Sequence, residues 1–260
     1  MSQESVGKTF AVAGTLAIIC GIFVSAAAVG LRPIQDENKS LDIKKNILAA
    51  AGLMTPDTNI EEAYKESVTP RLVDLSTGNY DDTMDAGTYD QAKAAKTPAT
   101  SVTIPAKEDI AKIKRMAKVA LVYEIKKDGK LDQIVLPFHG KGLWSTMYGF
   151  LAISSDTETV RGITYYQHGE TPGLGGEVDN PKWKDLWPGK KLFTANGDVA
   201  IHVIKGHVSD SAPNAKYEVD GLSGATLTTN GIDAMIRFWI GPEAFGKYLS
   251  NIRAKGDFNG

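Results

Sequence analysis

From Phe10 to Leu31 the chain carries 22 residues without a charge. Wound as a helix, such a run spans about 33 Å, which matches the hydrocarbon thickness of a bilayer. Beyond it, Leu41 to Ala51 places Ile43, Ile47 and Leu48 at helical spacing and reads as a short helix continuing the apolar segment outward, broken at Gly52 and Pro56. Residues 55–105 hold Thr-Pro, Ser-Thr-Gly-Asn and Asp-Asp-Thr runs with few long apolar stretches. They are expected as loops draped on the domain, with one or two helical turns over Tyr89–Ala95. At Val119 the period becomes two: Val119, Leu121, Tyr123 and Ile125 alternate, Lys127-Asp128-Gly129-Lys130 makes a turn, and Ile134 and Leu136 resume, a β-hairpin signal. Tyr148–Ile153, Val160–Tyr166 and Val199–Ile204 read as further strands. Ile232, Met235, Ile236, Trp239 and Ile240 then form the stripe of an amphipathic helix. A second helix follows, with Pro242 in its first turn and Phe245, Tyr248, Leu249 and Ile252 on its apolar face.

The resulting class is α+β: a single N-terminal transmembrane helix followed by a mainly antiparallel sheet domain with C-terminal helices. Its expected parts are an N-terminal tail at 1–9, the membrane span at 10–31, a helical and irregular connecting region at 32–118, and an α+β domain at 119–256. A cleaved secretory signal competes with the anchor, because Lys8 forms a basic start and Ser25-Ala26-Ala27-Ala28 offers small residues. The apolar run continues past them to Arg32, which favours the uncleaved anchor. Arg32, Lys39, Lys44 and Lys45 beyond the span outnumber Lys8 before it. Counting charges therefore points the body inward, although long domains cross membranes despite such charges.

Charge narrows the function classes. With 29 basic and 31 acidic residues the net charge is −2, and the basic residues are scattered, so no nucleic-acid partner is expected. The single cysteine, Cys20, lies inside the apolar run. One thiol can build neither an intrachain disulfide nor an iron–sulfur cluster. His202 and His207 are an odd number of residues apart, so an extended strand would turn them to opposite sides, and no metal site is expected. No Gly-x-Ser-x-Gly elbow is present to support a nucleophilic triad.

The segment Asp220-Gly-Leu-Ser-Gly-Ala-Thr226 is the most informative chemistry in the chain. Gly221, Ser223, Gly224 and Ala225 leave the backbone open around Thr226, so a modifying enzyme could approach and a bulky phosphoryl group could remain. The helical stripe that follows puts Thr226 at or just before a helix start, where unpaired N–H groups and the positive end of the helix dipole stabilise a phosphodiester's negative charge. Read alone, these residues also fit a glycine-rich turn with a Ser or Thr cap.

These seven residues resemble the Asp-x-x-Ser/Thr-Gly-Ala-Thr signature of FMN-binding domains in bacterial ion-pumping redox complexes. The stretches His139–Trp144, Gly162–Tyr166, Glu170–Gly176 and Asp220–Gly231, with the N-terminal apolar segment, extend the likeness over nearly the whole chain. Together they resemble the C-type subunit family of sodium-translocating NADH:ubiquinone oxidoreductases. The resemblance implies covalent FMN, a phosphoester on Thr226 installed by a separate flavin transferase. It also implies an inner-membrane complex of other membrane and soluble subunits and a periplasmic domain moored in lipid. In that setting electrons from NADH pass through other subunits to this FMN and onward to ubiquinone, coupled to sodium export. Two other readings stay open: the flavinylated G-type subunit of a related ferredoxin:NAD complex, and a membrane-tethered scaffold whose Thr226 is never modified.

An isoalloxazine ring needs an apolar slot and a few polar groups at its pyrimidine edge. Two glycine-rich loops are candidates. In the first, Gly142 and Leu143 approach by backbone and Trp144 covers the ring or its chain, unless Trp144 is a core residue. In the second, Glu170-Thr171-Pro172-Gly173-Leu174-Gly175 offers backbone N–H groups, the Thr171 hydroxyl and the Leu174 side chain. Glu170 has three readings: it orients its loop, meets the pyrimidine edge, or stands in solvent. Gly173-Leu174-Gly175 is not a dinucleotide fingerprint, since the third glycine and a βαβ pattern are missing. Lys205, after the Val199–Ile204 segment, is a candidate counter-charge for the phosphate, and Ser223, Gly224, Ala225 and Asp220 complete the set around Thr226.

Overall fold

A computed structural model describes residues 5–209 and 211–255. Its contacts divide the chain into two units, separated between Ile43 and Lys44. Helix α1 runs over Val6–Ala50, so it begins inside the expected tail, passes through Pro33, and takes in the short helix expected at 41–51. Residues 1–4 of that tail and residue 256 of the expected domain lie outside the described residues. In the first unit α1 has the length and composition to cross a membrane, with none of its most apolar window buried. Gly52, at φ +70°, then takes a left-handed conformation that ends the helix.

The second unit starts with the last turns of α1, where Ile47, Leu48 and Ala50 are buried. There follow α2 (Ile60–Ser67), β1 (Val68–Asp74), β2 (Asn79–Tyr80), α3 (Gln91–Lys96), β3 (Ser101–Thr103) and β4 (Arg115–Ala117). The long strands are β5 (Val119–Lys127), β6 (Lys130–Lys141), β7 (Thr146–Ser154) and β8 (Val160–Gln167). The short α4 (Pro181–Lys184), β9 (His202–Val203) and β10 (Glu218–Val219) lead to α5 (Thr226–Ile240) and α6 (Gly246–Lys255). Six strands make one antiparallel sheet in the order β2-β1-β5-β6-β7-β8. The β5–β6 turn closes on Asp128 at φ +53° and Gly129 at φ +76°, two left-handed residues that match the twist of a tight hairpin.

Each face of this sheet is covered. Ile134, Leu136, Phe138, Leu151, Ile163 and Tyr165 belong to one buried cluster with Ile232, Met235, Ile236 and Trp239 of α5 and Phe245, Tyr248 and Leu249 of the following segment. On the opposite face Val135, Phe150 and Ala152 are buried. There the Thr164 hydroxyl donates to the Asn46 carbonyl at 3.0 Å and the Gln133 amide donates to the Ala51 carbonyl at 3.0 Å. A sheet buried on both faces loses the clean alternation of a half-exposed one.

Three expectations need correction. The stretch 55–105 is not only loop, because β1 lies inside the main sheet and pairs with β5 from Val68↔Ile125 to Asp74↔Val119. Its alternation was hidden because Leu72 and Val73 are both buried and Pro70 interrupts the apolar pattern. The strand expected over Val199–Ile204 shrinks to His202–Val203 and pairs in parallel with β10, outside the main sheet. Ala200 and Ile201 instead donate to the Leu192 carbonyl, which takes their backbone out of any ladder. Pro242 does not open α6: it lies in the turn after α5, where Phe245 N–H bonds the Trp239 carbonyl and Gly246 N–H bonds that of Gly241.

Candidate functional site

Thr226 is the first residue of α5 and is exposed. Ala225 precedes it at the cap position and has no side chain with which to cap the helix, so none of the first-turn N–H groups is taken by a capping side chain. Two more hydroxyls share this turn. Thr228 is 1% exposed and its Oγ1 donates to Glu170 Oε2 at 2.7 Å; Thr229 is 3% exposed and its Oγ1 accepts the Leu222 N–H at 3.0 Å. Of the three, Thr226 alone presents its hydroxyl to a reagent from outside.

The turn before Thr226 depends on its glycines. Gly224 has φ +71°, and a Cβ there would press on Leu174 Cδ2 at 3.1 Å. Gly221 donates its N–H to the Gly206 carbonyl at 3.0 Å, and a Cβ there would overlap the Ile204 carbonyl oxygen. Ser223 is exposed beside Gly224. Asp220 anchors the base of the turn: Oδ1 accepts Val208 N–H at 2.8 Å, Oδ2 lies 2.7 Å from His207 Nδ1, and its carbonyl accepts Trp183 Nε1–H at 2.9 Å. Asp220 is therefore a scaffold of the motif in this fold.

Glu170 joins the two glycine-rich loops to α5. Its Oε1 accepts the backbone N–H groups of Trp144 at 3.0 Å and Ser145 at 3.2 Å, while Oε2 accepts Leu143 N–H at 3.2 Å as well as the Thr228 hydroxyl. Burial pushes this carboxyl up, but the bonds from Thr228, Trp144, Ser145 and Leu143 outweigh it and hold the group below the ordinary carboxylate range, so it is ionised at neutral pH. Gly142 and Gly175 leave room for it. A Cβ on Gly142 would stand 2.6 Å from Oε1, and one on Gly175 would stand 2.9 Å from Oε2 and 2.6 Å from Thr228 Oγ1. Behind it, Glu170 N–H donates to His168 Nδ1 at 3.2 Å and His168 Nε2 lies 2.8 Å from Asp179 Oδ2. That pattern puts the proton of a neutral imidazole on Nε2.

The remaining candidates divide between surface and frame. Trp144 is 66% exposed, Leu143 41%, Leu174 43% and Leu227 61%, so the loops and the start of α5 present apolar side chains to solvent. Trp144 is thus not a core tryptophan. Thr171 is exposed, its carbonyl accepts the N–H groups of Leu174 and Gly176, and Gly173 turns the loop at φ +76°. Lys205 is exposed in the loop whose Gly206 carbonyl meets Gly221, and among the described residues it forms no ion pair. His202 and His207 each face a single aspartate, Asp233 and Asp220, and no metal-ligating cluster occurs among the described residues.

Ser145 and His168 escaped the sequence reading, and Thr228 stood there, with Thr229, only as an alternative hydroxyl for attachment and not as a partner of Glu170. A signal for Thr228 was available: counted back from Ile232, Met235 and Trp239 it lies on the buried stripe of α5, and a hydroxyl there requires a partner. Ser145, whose Oγ accepts Gly169 N–H at 2.7 Å, and His168 left no such signal, because their partners belong to the facing loop.

The FMN-binding domain family matches residues 142–241, a span that opens at Gly142 in the first loop and closes after α5. The chain is 49% identical over 259 residues to the C subunit of the Na(+)-translocating NADH-quinone reductase of Pseudomonas aeruginosa, covering 98% of this chain and 99% of that one. The chain belongs to the C-type subunit family of Na(+)-translocating NADH-quinone reductases. The protein of the same description from Haemophilus ducreyi is 48% identical, covering 99% of this chain and 98% of that one. Among solved structures, the crystal structure of Shewanella oneidensis NqrC superposes with a TM-score of 0.77 at 39% identity, covering 84% of this chain and 99% of that chain. Membership in this family decides between the C-type and G-type readings.

Proposed function

We propose that this chain is the flavin-carrying subunit of a sodium-translocating NADH–quinone reductase, holding FMN as a phosphoester on Thr226 and relaying electrons between other subunits. The observation that carries the attachment is the contrast within one helical turn: Thr226 is exposed at an uncapped helix N-terminus, whereas Thr228 and Thr229 are buried with their hydroxyls engaged. Thr226 fits the group on chemical grounds as well. The first-turn N–H groups and the helix dipole stabilise the phosphodiester charge, and Leu143, Trp144, Leu174 and Leu227 offer apolar surface to a flat ring. Lys205 serves as a counter-charge to the phosphate, Ser223 and Gly224 keep the approach to Thr226 open, and Thr171 with Gly173 presents polar backbone to the ring.

When bound, FMN supplies the one- and two-electron redox chemistry. The protein supplies a fixed point of attachment, so the cofactor need not be recruited from solution at each turnover. Helix α1 anchors the chain as a single pass in the bacterial inner membrane, surrounded by lipid, with the sheet domain in the periplasm. NADH and quinone, ubiquinone in this reading, bind on other subunits, and a flavin transferase installs the cofactor. The test is in-gel fluorescence of the denatured protein made alongside an active flavin transferase: wild type fluoresces and Thr226→Ala does not. Fluorescence that survives in Thr226→Ala would refute the assignment.

A further inference from the structure

We propose that Glu170 is a positioning residue: an internal anion that sets where the Trp144 loop stands relative to the first turn of α5, and so what surrounds a group attached at Thr226. The inference rests on the attachment reading above and adds a residue that acts on the cofactor without touching it. Three consecutive amides, from Leu143, Trp144 and Ser145, converge on the Glu170 carboxylate and form an anion-binding nest. Nests of this kind ordinarily receive an external phosphate or carboxylate. Here the protein fills its own.

Saturation of the carboxylate separates this role from that of a ligand. Two carboxylate oxygens have about four lone-pair sites. Three amides and the Thr228 hydroxyl occupy them, leaving none for a pyrimidine ring. Glu170 is buried, whereas Trp144, whose amide it holds, is largely exposed. The carboxylate therefore fixes the base of the loop and leaves the indole free to face a cofactor. A second tie, from Gly169 N–H to Ser145 Oγ, joins the same two loops. Gly142 and Gly175 complete the seat, since a methyl at either would strike a carboxylate oxygen. Through Thr228 the seat is tied to the turn of α5 that begins with Thr226.

The test uses the full-length protein made with the flavin transferase, as wild type, Glu170→Ala, Thr228→Val and Thr228→Ser, each with and without Trp144→Phe. Hydrogen exchange at the amides of 143–145 reads the seat directly, and both Glu170→Ala and Thr228→Val are expected to speed it about tenfold. The fluorescence yield of the attached flavin reads positioning. Trp144→Phe is expected to raise it about twofold in wild type and to add nothing in Glu170→Ala, the coupling that a purely stabilising residue would not produce. Thr228→Ser restores wild-type behaviour in both measurements. Unchanged exchange in both seat variants, or a full additional increment from Trp144→Phe in the Glu170→Ala background, overturns the proposal. A wild-type protein without flavin overturns the attachment reading instead, and the exchange rates still decide the seat. Should Glu170→Ala not fold, the Thr228→Val and Thr228→Ser pair carries the same comparison.

Discussion

Gly231→Ala makes a demanding prediction, because two well-known effects oppose each other at this position. Gly231 lies inside α5, and alanine there favours helix by about 1 kcal/mol over glycine. Yet α5 crosses β6 so closely that a Cβ on Gly231 would overlap the Lys141 carbonyl oxygen and stand 3.2 Å from Gly142 Cα. Both neighbours are backbone, so neither can step aside by changing rotamer. Overpacking of this kind costs about 1–3 kcal/mol, and a clash between two backbones falls at the upper end. Subtracting the helix gain leaves a net loss of about 2 kcal/mol, which for a domain of this size lowers Tm by about 4–8 °C. The overlap is with the strand end that leads into Gly142, so relief by moving α5 outward would also pull Thr228 from Glu170. Thermal unfolding of the full-length protein in detergent, followed by circular dichroism, measures the loss. Asn230→Ala, at an exposed position on the same helix, is the control and is expected to stabilise slightly. A Gly231→Ala protein as stable as wild type, or more so, would show that the helix–strand approach is not a constraint and would refute the reasoning.

Further outcomes follow from the same contacts. Tyr80 donates its hydroxyl to the buried Glu124 carboxylate at 2.6 Å and lies 3.2 Å from the Tyr248 hydroxyl, tying β2 to β5 and α6. Tyr80→Phe removes that donor and is expected to cost about 1–3 kcal/mol by urea unfolding, whereas no measurable change would show the network to be idle. Burial between Tyr148 and Trp239 pushes the His139 imidazole down to about 4. Between the unfolded value near 6.5 and the folded value near 4 the unfolded chain binds more protons, so this residue makes stability fall as pH drops through that window. The loss is about 2 kcal/mol after discounting for the partial exposure of His139. His139→Gln is expected to flatten that part of the stability–pH curve, and an unaltered slope would contradict it. Glu170 acts in a lower window. Its folded value is depressed, so its contribution is present above about pH 4.3 and is lost as pH falls through the folded value. Glu170→Ala should lack that acid limb.

What could be read from the residues depended on how local the governing physics is. The β5–β6 hairpin was legible because Asp128 and Gly129 tolerate left-handed backbone and sit between alternating apolar arms. The start of α5 was legible because its buried stripe fixes the phase of the helix and so where Thr226 falls. Strand β1 was not, since its register is imposed by β5. Pro70 is tolerated because β2 pairs only with Val73 and Asp74, leaving the edge open beside the proline. Likewise Val199–Ile204 has the composition of a strand, but contacts with the Leu192 turn take its backbone elsewhere. At the site the glycines and Trp144 drew attention by type. The role of Glu170 stayed open because its partners lie 25 to 58 residues away and three of them are backbone amides, which carry no residue signature.

The attachment at Thr226 is the claim on which the functional reading depends, and tandem mass spectrometry of the Asp220-containing peptide, from protein made in its native host, tests it most directly. An added mass of FMN less water, localised on Thr226, is the predicted result. A bare peptide in material isolated alongside an active flavin transferase, or the same mass on Thr228 or Thr229, would contradict the account.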